Sequence, residues 1–176
     1  MCTRSAFTFA FVLIAAVAAR GEPPGLGTAV SEADIAAWDI SIMPDGSGLP
    51  PGRGSAAEGA RVYAQKCAAC HGENGTKAVA PGAGPLVGGG KLDRIEAVKT
   101  IGNFYGDATT VFDFIRRAMP FNEPRTLTSE EVYAVTAYLL AANKIIGEND
   151  VLDAQTLPKV KMPNRDNFII RFPDRI

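Results

Sequence analysis

Apolar residues recur every three or four positions, the helical spacing, in three segments of the chain. The first spans residues 56–66 and follows a capping box, Ser-Ala-Ala-Glu, in which the serine and the glutamate satisfy the helix start. The second opens near residue 110 and stops at Met119, because a residue that precedes a proline is pushed out of the helical region. The third follows another capping box at 128–131, and its apolar stripe comprises Val132, Val135, Leu139 and Ala142. We therefore predict an all-α domain over residues 55–147.

The segments on either side of this domain lack the helical period. Residues 20–54 hold five prolines among many glycines and predict an extended arm, with a short helix near 31–37. At 38–42 a tryptophan and two isoleucines alternate with polar residues, which indicates that the arm docks one apolar face on the domain. Residues 148–176 predict a tail that wraps the surface and docks through its two phenylalanines.

The first residues, 1–19, have the pattern of an export signal. A basic residue precedes the apolar run 7–17, and small residues at 16–18 offer a cleavage site. The run is shorter than the roughly 20 apolar residues that span a bilayer. The chain carries 18 basic and 19 acidic residues and no basic stripe that would bind nucleic acid. We expect a periplasmic protein that is soluble after signal cleavage, with no membrane insertion and no nucleic-acid partner.

The run Cys67-Ala68-Ala69-Cys70-His71 has the spacing of a c-type haem attachment site. Each thiol can add to a haem vinyl group, and the histidine can reach the iron. A redox dithiol or half of a zinc site would use the same spacing. Only one other cysteine and no other histidine exist in the chain, so a four-ligand zinc site is excluded within it. The motif predicts one covalent haem c, bound by Cys67, Cys70 and His71.

A second axial ligand to the iron would come from a methionine or another soft donor, or would be absent, since no second histidine exists. Met43, Met119 and Met162 each precede a proline, so that pair alone does not choose among them. Met119 is favoured because it ends an apolar helix that lies between the attachment helix and the last helix. Met43, in contrast, lies in the arm and Met162 in the tail. Thioether ligation would raise the reduction potential, as an electron carrier requires.

A turn at Gly84-Pro85-Leu86 follows the attachment motif. We predict that the carbonyl of Pro85 accepts a hydrogen bond from the ring nitrogen of His71 that faces away from the iron, which would fix the orientation of the ring. The alternative is a turn with no role at the haem.

Together these motifs resemble the class I cytochrome c family. The resemblance rests on Gly59-x-x-x-Tyr63-x-x-x-Cys67, the attachment motif, Gly84-Pro85-Leu86, Met119-Pro120 and the helix 131–140. It implies the class I cytochrome c fold around one haem, with Gly59 allowing the first and last helices to cross closely and Tyr138 packing at the crossing. It also implies Pro85 beside the axial histidine and Met119 as the distal ligand.

A narrower resemblance covers residues 38–167. Trp-Asp-Ile, Pro-Asp-Gly and Gly-Leu-Pro in the arm, Arg-Arg-Ala-Met-Pro-Phe at 116–121 and Met-Pro-Asn-Arg-Asp at 162–166 are similar to cytochrome subunits of periplasmic molybdenum sulfite or sulfane dehydrogenases. The longer sulfane dehydrogenase subunits have a second haem domain, which this chain lacks. The resemblance implies a monohaem cytochrome that accepts electrons from a sulfite dehydrogenase; the alternative is a cytochrome subunit of a sulfane dehydrogenase.

The expected role is therefore electron transfer and not catalysis. The donor would be the molybdenum sulfite dehydrogenase, and the acceptor another cytochrome or a terminal oxidase. A haem enzyme such as a peroxidase would need an open iron position and a base, and no second histidine is present to act as that base. Arg116 and Arg117 are candidates for the docking rim or for pairing with a haem propionate.

Overall fold

Helices account for most of the regular structure, and the chain divides into two units. The computed structural model describes residues 25–168; the first unit ends at Asp39 and the second begins at Ile40. The first contains helix α1, Glu32–Trp38, whose start is closed by a capping box between Ser31 and Asp34. The Trp38 side chain is exposed. The predicted signal and the second phenylalanine of the tail lie outside the described residues.

The second unit contains three longer helices joined by irregular segments. They are α2 (Ala56–Lys66), α4 (Ala108–Ala118) and α5 (Ser129–Ala142), and the single turn α3 (Ala68–His71) follows α2. Capping boxes close the starts of α2 and α5, as the sequence predicts. Helix α4 begins two residues before the predicted position and ends one residue before Met119. No helix within residues 25–168 is long and apolar enough to cross a membrane.

Helices α2 and α5 cross with their backbones in contact. A Cβ atom built on Gly59 would overlap the carbonyl of Ala134 and would lie 2.8 Å from Cβ of Tyr138. One turn further on, the rings of Tyr63 and Tyr138 pack in a tilted arrangement at a centroid distance of 5.0 Å. Only glycine leaves room for this approach, which the cytochrome c resemblance implied for Gly59.

Two short strands join the ends of the domain. Strand β1 (Arg53–Ser55) pairs antiparallel with β2 (Val151–Asp153), so that Gly54 lies opposite Leu152. Gly54 also packs against Ala134 of α5, where a Cβ atom would come within 2.7 Å of the alanine side chain. Neither strand is predicted from the sequence, because each has three residues and pairs with a partner about 100 positions away.

The arm from Ile40 onward and the tail both pack on the helices. Ile42 and Leu49 lie against the core, and the hydroxyl of Tyr133 donates to the carbonyl of Pro50 at 2.9 Å. Beyond β2 the chain forms two short 3₁₀ helices, Leu157–Lys159 and Arg165–Asn167. The tail supplies three buried side chains to the core: Leu152, Leu157 and Met162. It is therefore part of the core and not only a surface wrap.

The two arginines near the end of α4 fasten the arm. Arg117 donates to the carbonyl of Ile40 at 2.8 Å and pairs with Asp113 at 2.8 Å, and Arg116 donates to the same carbonyl at 3.4 Å. Neither arginine lines the cavity beside His71. Their observed contacts are structural, and the predicted roles in a docking rim or beside a propionate stay predictions.

Candidate functional site

The Cys-x-x-Cys-His motif occupies the turn that follows α2. The amides of Cys70 and His71 both donate to the carbonyl of Cys67, at 3.1 and 3.0 Å, which winds the motif into one helical turn. Both cysteines are free thiols; Cys67 is half-buried and Cys70 is exposed. Burial raises the pKa of the Cys67 thiol to about 11. A redox-active dithiol requires the opposite shift, so the site does not favour the dithiol interpretation.

A cavity of about 560 Å³ opens beside this turn. Its volume is within the usual range for sites that hold a cofactor. The five residues predicted from the sequence all line it: Cys67, Cys70, His71, Pro85 and Met119. Most of the remaining wall is apolar and comes from the loop after His71, from α4 and from α5.

His71 is oriented by a backbone carbonyl. Its Nδ1 lies 3.1 Å from the carbonyl oxygen of Gly84. A carbonyl can only accept, so this contact requires a proton on Nδ1 and leaves the lone pair of Nε2 free to bind a metal. The sequence analysis assigned this acceptor to Pro85, and the structure moves it back by one residue. Pro85 still contributes, because the residue before a proline is restricted to extended conformations.

Met119 is the methionine that reaches the cavity. It caps the end of α4 in an extended conformation, with φ −117° and ψ 147°, and its side chain lines the wall. Met162 is buried in the core and Met43 is exposed. Within residues 25–168, neither of these two contacts the cavity.

Tyr63 supports the loop that follows His71. Its ring is 1% exposed, and its hydroxyl donates to the carbonyl of Gly72 at 2.9 Å. Burial raises the pKa of this hydroxyl to about 12, so it remains a donor at neutral pH. The hydrogen bond joins α2 to the loop at the residue directly after the attachment motif.

One wall of the cavity was missed by the sequence analysis. It is formed by Lys99, Thr100, Ile101, Phe104 and Tyr105. The tail holds this segment in place: Asn164 donates to the carbonyl of Phe104 at 2.7 Å, and Arg165 pairs with Asp107 at 2.6 Å. The adjacent aromatic residues were the available signal, but no periodicity marks the segment.

The residues at the cavity fit a covalently held haem. Two thiols, an imidazole with a free Nε2 and a thioether line one apolar cavity. Within the described part of the chain, no three His, Cys, Asp or Glu side chains form a group that could hold another metal.

Comparisons with known proteins agree with this fit. The family described as "Cytochrome C oxidase, cbb3-type, subunit III" matches residues 54–139. A chain in the crystal structure of the sulfane dehydrogenase SoxCD from Paracoccus pantotrophus is 37% identical in sequence to this chain. The match has a TM-score of 0.74 and covers 86% of this chain and 73% of that chain.

A thiosulfate dehydrogenase, TsdBA from Marichromatium purpuratum in its as-isolated form, is 29% identical over 50% of this chain and 18% of that chain. Its TM-score is 0.37. No curated protein matches the chain.

Proposed function

The chain belongs to the c-type cytochromes and is related to a sulfane dehydrogenase, and from this premise we propose that it is the electron-transfer subunit or partner of a dehydrogenase that oxidises sulfur compounds. The 37% identity to the sulfane dehydrogenase over most of the chain supports the sulfane alternative better than the sulfite dehydrogenase expected first from the sequence. We place the protein in the periplasm, on the basis of its predicted export signal.

One observation carries the proposal: Cys67, Cys70, His71 and Met119 meet at a single apolar cavity. The thiols would hold the haem covalently, while Nε2 of His71 and the sulfur of Met119 would bind its iron. When bound, the haem supplies a one-electron couple, whose potential methionine ligation raises. If both groups bind the iron, no position is left for a substrate, so we propose an electron carrier and not an enzyme.

Residues around the two iron ligands would tune the reduction potential of the haem. The carbonyl of Gly84 holds the Nδ1 proton of His71, which fixes the ring and increases the basicity of Nε2. The apolar wall excludes water and lowers the local dielectric, so each nearby charge acts more strongly on the site.

The mouth of the cavity offers a surface on which a partner can dock. Phe114 and Phe121 line the cavity and are 49% and 85% exposed. Exposed apolar residues beside a redox group allow close approach of a donor and of an acceptor. We propose the dehydrogenase as the donor and another cytochrome or a terminal oxidase as the acceptor.

The identity of the electron donor can be tested by measuring how fast each candidate enzyme reduces the haem. Oxidised holoprotein is mixed with a sulfane dehydrogenase catalytic subunit and a sulfane-sulfur substrate, and separately with a molybdenum sulfite dehydrogenase and sulfite. We expect rapid reduction in the first mixture. Reduction by the sulfite enzyme alone would restore the sulfite assignment, and multiple-turnover oxidation by the cytochrome without either enzyme would contradict the carrier role.

Replacement of the methionines tests the ligands. Met119→Ala should abolish the weak long-wavelength thioether band of the oxidised protein and lower its potential. Met43→Ala is the matched control, because Met43 is exposed and does not line the cavity. A band that survives in Met119→Ala would show that another group is the distal ligand.

A further inference from the structure

The charges on the cavity wall are of one sign. Among the described residues that line it, Lys66 and Lys99 carry ammonium groups, and no aspartate or glutamate lines it. An anion beside these ammonium groups would be attracted by them, and no carboxylate on the wall would repel it. The wall is therefore suited to a ligand that carries negative charge at one end.

The two lysines differ in whether a carboxylate pairs with them. Lys66 pairs with Glu131 at 2.7 Å. Lys99 donates to the carbonyl of Ile95 at 3.1 Å and lies 6.0 Å from the centre of the Phe104 ring, and no carboxylate within residues 25–168 pairs with it. Its side chain is exposed, so it stands where the cavity meets solvent. Lys99 is thus the lining cation without a counter-charge.

Tyr105, six residues further on, presents an unused donor to the same cavity. Its ring is half-buried and packs edge-to-face on Phe104, at a centroid distance of 5.6 Å. Within residues 25–168 its hydroxyl has no hydrogen-bond partner, although the hydroxyl of a buried tyrosine normally finds one. Burial raises the pKa of this hydroxyl above its usual value, so at neutral pH it can donate.

The backbone that carries both side chains is fixed. Thr100 is buried, and its hydroxyl donates to the carbonyl of Gly88 at 2.6 Å. At the other end of the segment, Asn164 of the tail donates to the carbonyl of Phe104 at 2.7 Å. The backbone positions of Lys99 and Tyr105 are thereby held by contacts that do not involve the two side chains.

We propose that Lys99 and Tyr105 form the anion end of the cavity, where the ammonium pairs with, and the hydroxyl donates to, the carboxylate of a haem propionate. The inference rests on the proposed haem site, and it does not depend on the identity of the partner. The ammonium stabilises the ionised carboxylate and adds positive charge near the iron. Positive charge disfavours the oxidised state, so Lys99 raises the reduction potential and keeps it constant over the pH range in which the propionate would otherwise titrate.

Redox titration of the holoprotein at a series of pH values tests Lys99. Lys99→Gln should lower the midpoint potential and move its pH-dependent region to higher pH, because the propionate loses its cation. Lys159→Gln is the matched control, since it removes the same charge from an exposed site that does not line the cavity. If the midpoint potential of Lys99→Gln equals that of the control or of the unmodified protein at every pH, the proposal is wrong.

Tyr105→Phe tests the hydroxyl while it keeps the ring. We expect a shift of the propionate carboxylate band in the oxidised-minus-reduced infrared spectrum, which a purely structural role of Tyr105 would not produce. An unchanged band would overturn the assignment of the hydroxyl. Failure of the haem to attach to the unmodified chain would overturn the proposed function and this inference together, whereas normal attachment with no effect of either substitution would overturn the inference alone.

Discussion

Replacing Gly59 with alanine tests whether the backbone contact between α2 and α5 limits the stability of the domain. The added Cβ atom would overlap the carbonyl of Ala134 and lie 2.8 Å from Cβ of Tyr138. Ala134 cannot retreat easily, because helix α5 is buried along most of its length and Gly54 of β1 also packs closely on Ala134. The helices therefore have to separate, and the Tyr63–Tyr138 contact has to loosen with them.

The size of the effect follows from two opposing terms. Overpacking against a well-packed core typically costs about 1–3 kcal/mol, and we take about 3 kcal/mol because the obstacle is a helix backbone. Alanine is favoured over glycine in a helix interior by about 1 kcal/mol. The net loss is about 2 kcal/mol. For a unit of about 130 residues, with an unfolding entropy of about 2.1 cal/mol/K per residue, this lowers Tm by about 7 °C.

Thermal unfolding of the holoprotein, followed by circular dichroism, measures this shift. Gly90→Ala is the matched control, because a Cβ atom at Gly90 would meet nothing within 4 Å and the residue does not need a positive φ. The control should stay within about 0.5 kcal/mol of the unmodified protein. If Gly59→Ala melts together with Gly90→Ala, the crossing has room for a methyl group and the packing argument fails.

Three further predictions concern the tail and the core. Arg165→Ala removes the ion pair with Asp107; it should cost no more than about 1 kcal/mol, since the pair is partly exposed, but it should speed hydrogen exchange of the amides that precede α4. Burial raises the pKa of the Tyr133 hydroxyl to about 12, while the unfolded phenol ionises near 10. The unfolded state therefore loses its proton first, stability falls as the pH rises through that interval, and Tyr133→Phe should make the fall smaller. Met162→Ala should destabilise the protein by about 2–5 kcal/mol, measured by denaturant unfolding, and leave the thioether band unchanged.

Each of these three predictions has a clear contrary result. Unchanged exchange in Arg165→Ala, with Lys161→Ala as the control for loss of an exposed charge, would show that the tail does not hold the cavity wall. An alkaline stability profile that is identical in Tyr133→Phe would show that the fall comes from other groups. Loss of the thioether band in Met162→Ala would move the ligand assignment to the tail.

The helices could be predicted from the sequence because their signals are local. Each capping box is contained within four consecutive residues, and α2 has the bounds that its pattern predicts. The start of α4 was placed two residues late, since Asp107 makes no side-chain cap and its carboxylate pairs with Arg165 of the tail. The strands escaped prediction because three-residue segments gain their pairing only from a distant partner.

The distinction between local signals and long-range contacts also applies to the residues of the candidate site. The attachment motif is contiguous, and Met119 follows from the position of a helix end, so short-range patterns are enough to suggest them. The acceptor for His71 depends on the path of an irregular loop, and the prediction of Pro85 missed Gly84 by one residue. The wall that carries Lys99 and Tyr105 is held by the tail, and a contact of that range has no local signature.

The pairing of β1 with β2, together with the crossing at Gly59, has a consequence for the order in which the chain is assembled. Both join the start of the domain to segments that are synthesised much later. Contacts of such long range form slowly, because the intervening chain has to close first. Until α5 has packed, the turn with Cys67 and Cys70 lacks most of its core. We therefore expect the thiols to be open to haem attachment during that interval, so that folding closes the chain around the bound cofactor.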